Sequence, residues 1–462
     1  MNPILASAKL SKLSDMSASH IRTKYSSSEK AKSPRTPSRS RRAVLAIFIL
    51  SLLVLSQPGR SKPLGDQIIT YLEKSHHDVV TGPREVHFVP HSHIDPVWFT
   101  TYEVALNYYA YPIYSSVIQA LNDNGRFSFT MSETCFIKDY LNIAQKKFTK
   151  PFLKYLRNGR IEVQGGGLVM HDEACPYFDD MIMNLSYGRL YLQSLGVKLP
   201  TVVWMIGTFG HGVTNMRLHS QMGYKDMVSA RMSDDIRVVL KRNVDFLFEW
   251  VLASNPKYHL KFHQLGEFYV PLKPFNTIES WDGIKLQEFP ISDITNPNFD
   301  LSWKVLRFTS EIKRFESGSA SNYILSPFGG DDNYRNAPAT FGLLSSIVIY
   351  MKCNKERIGL DPKISSLKEY FKRLEQENLT LSKVTQDFFP VVDDYGKRGQ
   401  NHTSWTGYYT TNPELKHRSD SFMRNLRFMH SLVALNILKD PRNDKFKQMH
   451  SQLEEFIMFS SL

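Results

Sequence analysis

The sequence predicts an α/β fold: a mostly parallel, barrel-like sheet core wrapped by helices, followed by the start of a helical bundle. Three observations carry this expectation. Short apolar runs alternate with stretches of helical periodicity from Glu85 onward, glycine-rich turns follow several of those runs, and after Pro413 the pattern changes to long helices. The 462 residues allow about three domains at roughly 150 residues each. With 42% hydrophobic and 12% aromatic residues the chain can bury a sizeable core, which excludes a wholly disordered protein.

Residues 1–42 form a basic, serine-rich tail with the composition of a disordered segment. Ten basic residues from Lys9 to Arg42 face only Asp15 and Glu29, so the tail is net +8 of the chain's +12. The remainder is nearly balanced, and nucleic acid is excluded as a partner because its footprint requires a basic stripe on the folded part. Residues 43–56 hold the apolar run Ala43–Leu55, interrupted by Ser51 and preceded by Arg41 and Arg42. This is a targeting segment, either a signal peptide or a type II signal anchor. Thirteen residues reach about 20 Å, short of the ~30 Å hydrocarbon core, which favours a cleaved h-region. The long tail before it favours an anchor into the Golgi membrane, with lysosome or secretion as alternatives.

Residues 57–84 read as a polar linker around a short helical stretch, Asp66 to Lys74. Sequons at Asn184, Asn378 and Asn401 agree with a lumenal chain, though triplets of this kind also arise by chance. Cys135, Cys175 and Cys353 are too few for a disulfide framework and leave room for one pair and a free thiol.

The α/β domain is expected over 85–413. Glu85–Pro90 reads as a buried first strand, Ile113–Leu121 as a helix, Phe127–Thr130 and Ile161–Val163 as strands, and Met183–Leu195 as a helix. Thr201–Ile206 is strand-like, Met216–Met222 helical, and Tyr323–Leu325 strand-like before Gly329-Gly330. In such folds chemistry sits where strands end. Residues 414–462 begin a helical bundle.

Three motifs lie at these strand ends. His91-Ser92-His93-Ile94-Asp95 places two imidazoles and a carboxylate on one face if the strand continues, a set suited to zinc; hydrogen-bonded structural histidines are the bland alternative. Gly329-Gly330-Asp331-Asp332 offers two carboxylates, one of which a dry pocket and a like charge would tune as a general acid; a simple Gly-Asp turn competes with that reading. Trp405-Thr406-Gly407-Tyr408-Tyr409 supplies aromatic faces for sugar rings or for core packing.

Taken in order, these pieces resemble the retaining α-mannosidases of glycoside hydrolase family 38, the lysosomal and Golgi class II type. The resemblance rests on His91 to Trp98, Gly166 to Ala174, Trp204 to His211 with Arg231, Gly330-Asp331-Asp332, and Asp387-Phe388-Phe389 leading to Trp405–Tyr409. It implies zinc-dependent hydrolysis of α-linked mannose from N-glycans. By this resemblance His93 and Asp95 are zinc ligands and Asp332 is the acid/base. Arg231 and Asp331 orient around the catalytic carboxylates, while Trp98, Phe209 and Tyr269 line the sugar pocket. A retaining glycosidase needs two carboxyl groups about 5 Å apart.

Two departures bear on activity. The family stretch reads Trp-x-Ile-Asp-Pro-Phe-Gly-His, its aspartate serving as nucleophile and zinc ligand; here Gly207 stands at that position. The chain also stops near where a His-His-Asp-Ala motif would add another ligand, so two of four expected zinc ligands are missing and zinc is expected to bind weakly. His91 and His171 are conceivable substitutes, and a hole at Gly207 would admit formate or azide. Two readings follow: a hydrolase with impaired turnover, or an inactive relative that binds mannose glycans or a partner.

Overall fold

The computed structural model describes residues 71–73, 84–266, 268–275, 301–393 and 403–460. The basic tail, the apolar run at 43–56, most of the 57–84 segment and the Asn401 sequon lie outside them. Among the described residues no helix is long and apolar enough to cross a membrane.

The strands are β1 (Tyr71–Glu73), β2 (Arg84–His93), β3 (Phe129–Met131), β4 (Ile161–Val163), β5 (Val202–Met205), β6 (Asp226–Ser229) and β7 (Leu247–Val251). They continue with β8 (His259–Gln264), β9 (Tyr323–Asp331), β10 (Leu360–Ile364), β11 (Lys383–Val384), β12 (Val392–Asp393) and β13 (Thr403–Ser404). One sheet is wholly parallel: β9 lies along one edge of β2, while β10 and then β3 share the other, with β4 beyond β3. The second sheet has the order β1-β11-β7-β8-β6-β5 and mixes three parallel with two antiparallel pairings. A hydrogen bond from the Gly165 amide to the Val202 carbonyl, 3.0 Å, links the end of β4 to β5. The predicted mostly parallel core is present, distributed over two sheets.

β2 shows why an apolar run becomes a central parallel strand: both of its faces are covered. Val86 and Phe88 pack with Phe308 and with Leu344 and Ile347 of helix Ala337–Cys353. On the opposite parity, Val89 meets Val202 and Trp204 of the second sheet. The guanidinium of Arg84 pins the start of β2, donating to the carbonyls of Glu316, Ser319 and Ser321.

Helix Phe178–Ser194 buries Met181, Leu185 and Leu192 at helical spacing. Its Gly188 sits against the turn Gly165–Gly167, where a Cβ would collide with the Gly166 carbonyl. One turn earlier, Asn184 is 2% exposed and its amide clamps Val169 through both backbone groups. The Asn184 sequon is therefore sealed in the fold, whereas Asn378 lies exposed on a turn with φ 48°. All three cysteines are free thiols, so the pair allowed for is not formed.

The helical stretch expected at 66–74 is overturned where it is described: Tyr71–Glu73 is a strand paired with Lys383 and Val384. A helix that short gains little from propagation, and a sheet edge offers its amides partners at once. The bundle segment has the predicted long helices, Pro413–Lys439 and Asp444–Ser460, packed through Met423, Leu426, Val433 and Leu453. Phe428, Leu435 and Leu438 on the first of them remain exposed.

Glu316 is 6% exposed, and burial pushes its carboxyl up to about 7 although Arg84 pulls the other way. The folded chain thus keeps a proton that the unfolded chain releases above about pH 4.5. The stabilisation linked to that proton is full below about pH 4.5 and lost as pH rises through about 7. Glu316→Gln removes the titration; its stability relative to wild type should climb by up to roughly 3 kcal/mol between pH 4.5 and pH 8. Denaturant melts of both proteins across that range measure it.

Candidate functional site

The site begins with backbone register. β2 and β9 pair in parallel from Glu85↔Tyr323 to His93↔Asp331, so the His91–Asp95 motif and the Gly329–Asp332 motif end side by side. A Cβ on Gly329 would collide with the His91 carbonyl, so this approach requires glycine. Immediately afterwards the Asp332 amide donates to the His93 carbonyl at 3.0 Å, and Asp332 takes φ 53°, a left-handed conformation that aspartate tolerates better than most side chains. Burial and the neighbouring Asp331 charge push the Asp332 carboxyl up to about 7, which suits a proton donor at neutral pH.

His91 and His93 share a face of β2, since both rings meet Tyr269, at 6.2 and 5.4 Å. Their fates differ. His91 is fully buried, its Nε2 lies 2.7 Å from the Tyr269 carbonyl, and burial pulls its imidazole down to about 3. His93 reaches the site, where its Nε2 lies 3.2 Å from Oδ1 of Asp95, a side chain that is 45% exposed. Burial opposes a charge on His93, but the carboxylates of Asp95, Asp331 and Glu133 outweigh it and lift the imidazolium to about 10.

Glu133 was not singled out from the sequence. It follows β3, is 2% exposed, accepts from Ser132, and is held above the usual carboxylate range by burial. A carboxylate just past the end of a buried strand was the signal available for finding it.

Gly207 follows β5 and faces His93. A Cβ on Gly207 would lie 2.8 Å from both Cε1 and Nε2 of that imidazole and 3.6 Å from the Met170 sulfur. The first atom of the side chain whose loss was expected to leave a hole for formate or azide would already press on the His93 imidazole.

The remaining predicted residues close a wall of rings. Phe209 stacks on Trp405 at 4.5 Å and 10°, and Trp98 lies 6.1 Å away with half of its surface exposed. The Arg231 guanidinium is enclosed by Phe209, Phe268 and Trp405, each 4.8 to 4.9 Å away. Tyr269 donates from its hydroxyl to Oδ1 of Asp331 at 2.9 Å. Trp405 donates to Asp393 and Tyr408 to Asp172, so both residues of the aromatic run are fixed by packing and hydrogen bonds.

Beneath this wall runs a buried chain that motif reading missed. Oε1 of Glu173 lies 2.8 Å from Nδ1 of His211, whose Nε2 lies 2.7 Å from the Ser229 hydroxyl; that hydroxyl lies 3.1 Å from the Arg231 carbonyl. The other oxygen of Glu173 accepts from the Gly212 amide. Ser229 and His211 are fully buried, so the chain serves to lock the ends of β5 and β6 and hence the base of Arg231. His171 is likewise spent: its ring nitrogens lie 3.0 and 3.1 Å from the amides of Asn215 and Asn184, and the ring stacks on His219.

The model of the glycosyl hydrolases family 38 N-terminal domain matches residues 83–394, from the start of β2 through β12. The chain belongs to glycoside hydrolase family 38. It is 27% identical over 381 residues to alpha-mannosidase F of Dictyostelium discoideum, covering 80% of this chain and 36% of that protein. It is 26% identical over 402 residues to alpha-mannosidase 2 of Spodoptera frugiperda, covering 83% and 35% respectively. The chain thus spans about a third of the length of these relatives. An alpha-mannosidase from Enterococcus faecalis superposes with a TM-score of 0.48 at 17% identity, over 66% of this chain and 31% of that one.

For this family 38 chain the zinc expectation can be tested against the donors present. His93 and Asp95 pair with each other, Gly207 offers no ligand atom, His171 has both ring nitrogens in other bonds, and His91 is fully buried with its Nε2 on the Tyr269 carbonyl. Among the described residues no three His, Cys, Asp or Glu side chains converge on a common point. A catalytic zinc normally keeps three protein ligands, so the described set does not fit one.

Because the imidazole fills the approach to position 207, Gly207→Ala should destabilise the protein by about 1–3 kcal/mol. In a His93→Ala background the same change should cost well under 1 kcal/mol. A double-mutant cycle of thermal melts checks the coupling.

Proposed function

We infer that this chain binds mannose-bearing glycans without turning them over efficiently. The observation that carries the reading is position 207, which lacks a side chain and whose adjoining space holds the His93 imidazole. Retaining hydrolysis needs a second carboxylate about 5 Å from the acid to attack the anomeric carbon. The other acidic groups nearby are engaged: Asp95 with His93, Asp331 with Tyr269, and Glu133 with Ser132. Losing a covalent nucleophile costs on the order of 10⁶ in kcat in a well-studied protease, enough to leave binding as the dominant property.

In this reading a mannose ring rests against Trp98 and Phe209, and Asp332 donates a hydrogen bond to the glycosidic oxygen. Asp331, with Tyr269, takes sugar hydroxyls, while Arg231 supplies positive charge behind them. The chain acts in the secretory pathway, held to the Golgi membrane through residues 43–56, a reading supported by the basic residues that precede that apolar run. A second reading, zinc-dependent retaining α-mannosidase activity, draws support from Asp332, intact beside His93 and Asp95.

Purified full-length chain, assayed with an activated aryl α-mannoside, should match an Asp332→Asn control with and without added zinc, and EDTA should leave its Tm unchanged. Millimolar methyl α-mannoside should raise the Tm through selective binding to the folded state. Zinc-dependent turnover above the control would replace the binding reading with the hydrolase one.

A further inference from the structure

Asn184 and Asn378 are the sequon asparagines among the described residues, and the fold treats them oppositely. The buried Asn184 amide donates to the Val169 carbonyl at 3.0 Å. Asn378 and Thr380 are both exposed, and among the described residues neither side chain takes part in a hydrogen bond.

Local structure explains the opening. Helix Leu367–Gln376 buries Leu367, Tyr370, Phe371 and Leu374, and that apolar stripe ends at Leu374. Glu377 caps the helix, its amide donating to the Leu374 carbonyl. Asn378 follows with φ 48°, the left-handed stop that asparagine accepts better than most residues. That cap uses only the backbone of Asn378. It accounts for an asparagine at this position, but neither for its free amide nor for the exposed threonine two residues on.

Beyond the cap the chain is outside any helix or strand, and its side chains alternate. Leu379 and Leu381 pack against the core cluster that contains Val89 and Leu367, while Asn378 and Thr380 stay in solvent. An extended segment of this kind puts the acceptor amide and the hydroxyl on one outer face. Both ends of the stretch are tied down. The Glu377 carboxylate accepts from both nitrogens of Asn322, each at 2.7 Å, and from the Ser321 hydroxyl; the buried Ser382 hydroxyl donates to Asp245 at 2.8 Å. Asn322 immediately precedes β9 and Asp331 ends it, so this turn stands roughly 26 Å along the strand from the site.

We propose that Asn378 is an N-glycan acceptor of this chain. This rests on the secretory-pathway reading above and extends it to a covalent modification. In the reaction Nδ2 of Asn378 bonds to C1 of the first sugar of a lipid-pyrophosphate-linked oligosaccharide. The bond from C1 to the pyrophosphate oxygen breaks, the lipid pyrophosphate leaves with the electron pair, and a proton of the amide passes to a base of the transferase. The finished fold accommodates a glycan here whenever it is added, and the far end of β9 keeps it clear of Trp98 and Asp332.

The test translates the full chain in the presence of endoplasmic-reticulum microsomes. It reads protection from added protease, the mobility step removed by peptide N-glycosidase, and peptide masses after that treatment, which leaves aspartate at each former acceptor. In the protected chain position 378 should read as aspartate. Asn378→Gly keeps the left-handed turn and should lose one glycan step. Thr380→Ala, which leaves Asn378 in place, should lose the same step, and Thr380→Ser should retain it. A protected chain with Asn378 unmodified, or a mobility that neither Asn378→Gly nor Thr380→Ala changes, would overturn the acceptor site alone. A chain left open to the protease would overturn the secretory reading and the acceptor site with it.

Discussion

The site depends on the nine-residue parallel pairing of β2 with β9. Parallel strands end at the same level, so two motifs more than 230 residues apart in sequence are delivered side by side without any contact between their side chains being needed to bring them there. The pairing is tight enough to demand Gly329 opposite His91, and its last hydrogen bond, from Asp332 to His93, turns the chain and sets the acid carboxylate. The rest of the first sheet reinforces this pair: β10 supports the first half of β2 and β3 the second.

A second constraint couples position 207, a departure from the family pattern, to the His93–Asp95 pair. The missing side chain at 207 and the self-paired His93–Asp95 are one arrangement, because the imidazole lies where that side chain would begin. Restoring an aspartate there would first have to move His93, which Asp95 and the Tyr269 ring hold. Position 207 therefore cannot be judged as an isolated deletion.

Much of this was legible in the sequence. The strands at 85–90, 161–163 and 201–206 announced themselves as short apolar runs, and the functional motifs sat at their ends because parallel α/β sheets place chemistry there. Legibility failed where the deciding partner is distant. Tyr71–Glu73 has a weak local preference, and only Lys383 and Val384 make it a strand. His91 and His93 are indistinguishable by spacing, yet the Tyr269 carbonyl takes one and leaves the other at the site. The Glu173–His211–Ser229 chain joins two loop residues to the last residue of β6, and no window of sequence contains it. The aromatic run at 405–409 was ambiguous between stacking and packing; what distant residues add is that Asp393 and Asp172 fix two of its rings by hydrogen bonds.

Asn184 carries a consequence of another kind. In a compartment where Asn-X-Ser triplets are modified as a chain emerges, folding and the modifying enzyme compete for the same amide nitrogen. A chain modified first could not close Gly188 onto Gly166 or hold Val169, and the loop leading to Glu173 would lose its anchor. The yield of native protein then becomes a race, decided by how soon helix Phe178–Ser194 docks after it is made. The sequence thus carries a kinetic hazard at a position whose folded geometry is unambiguous.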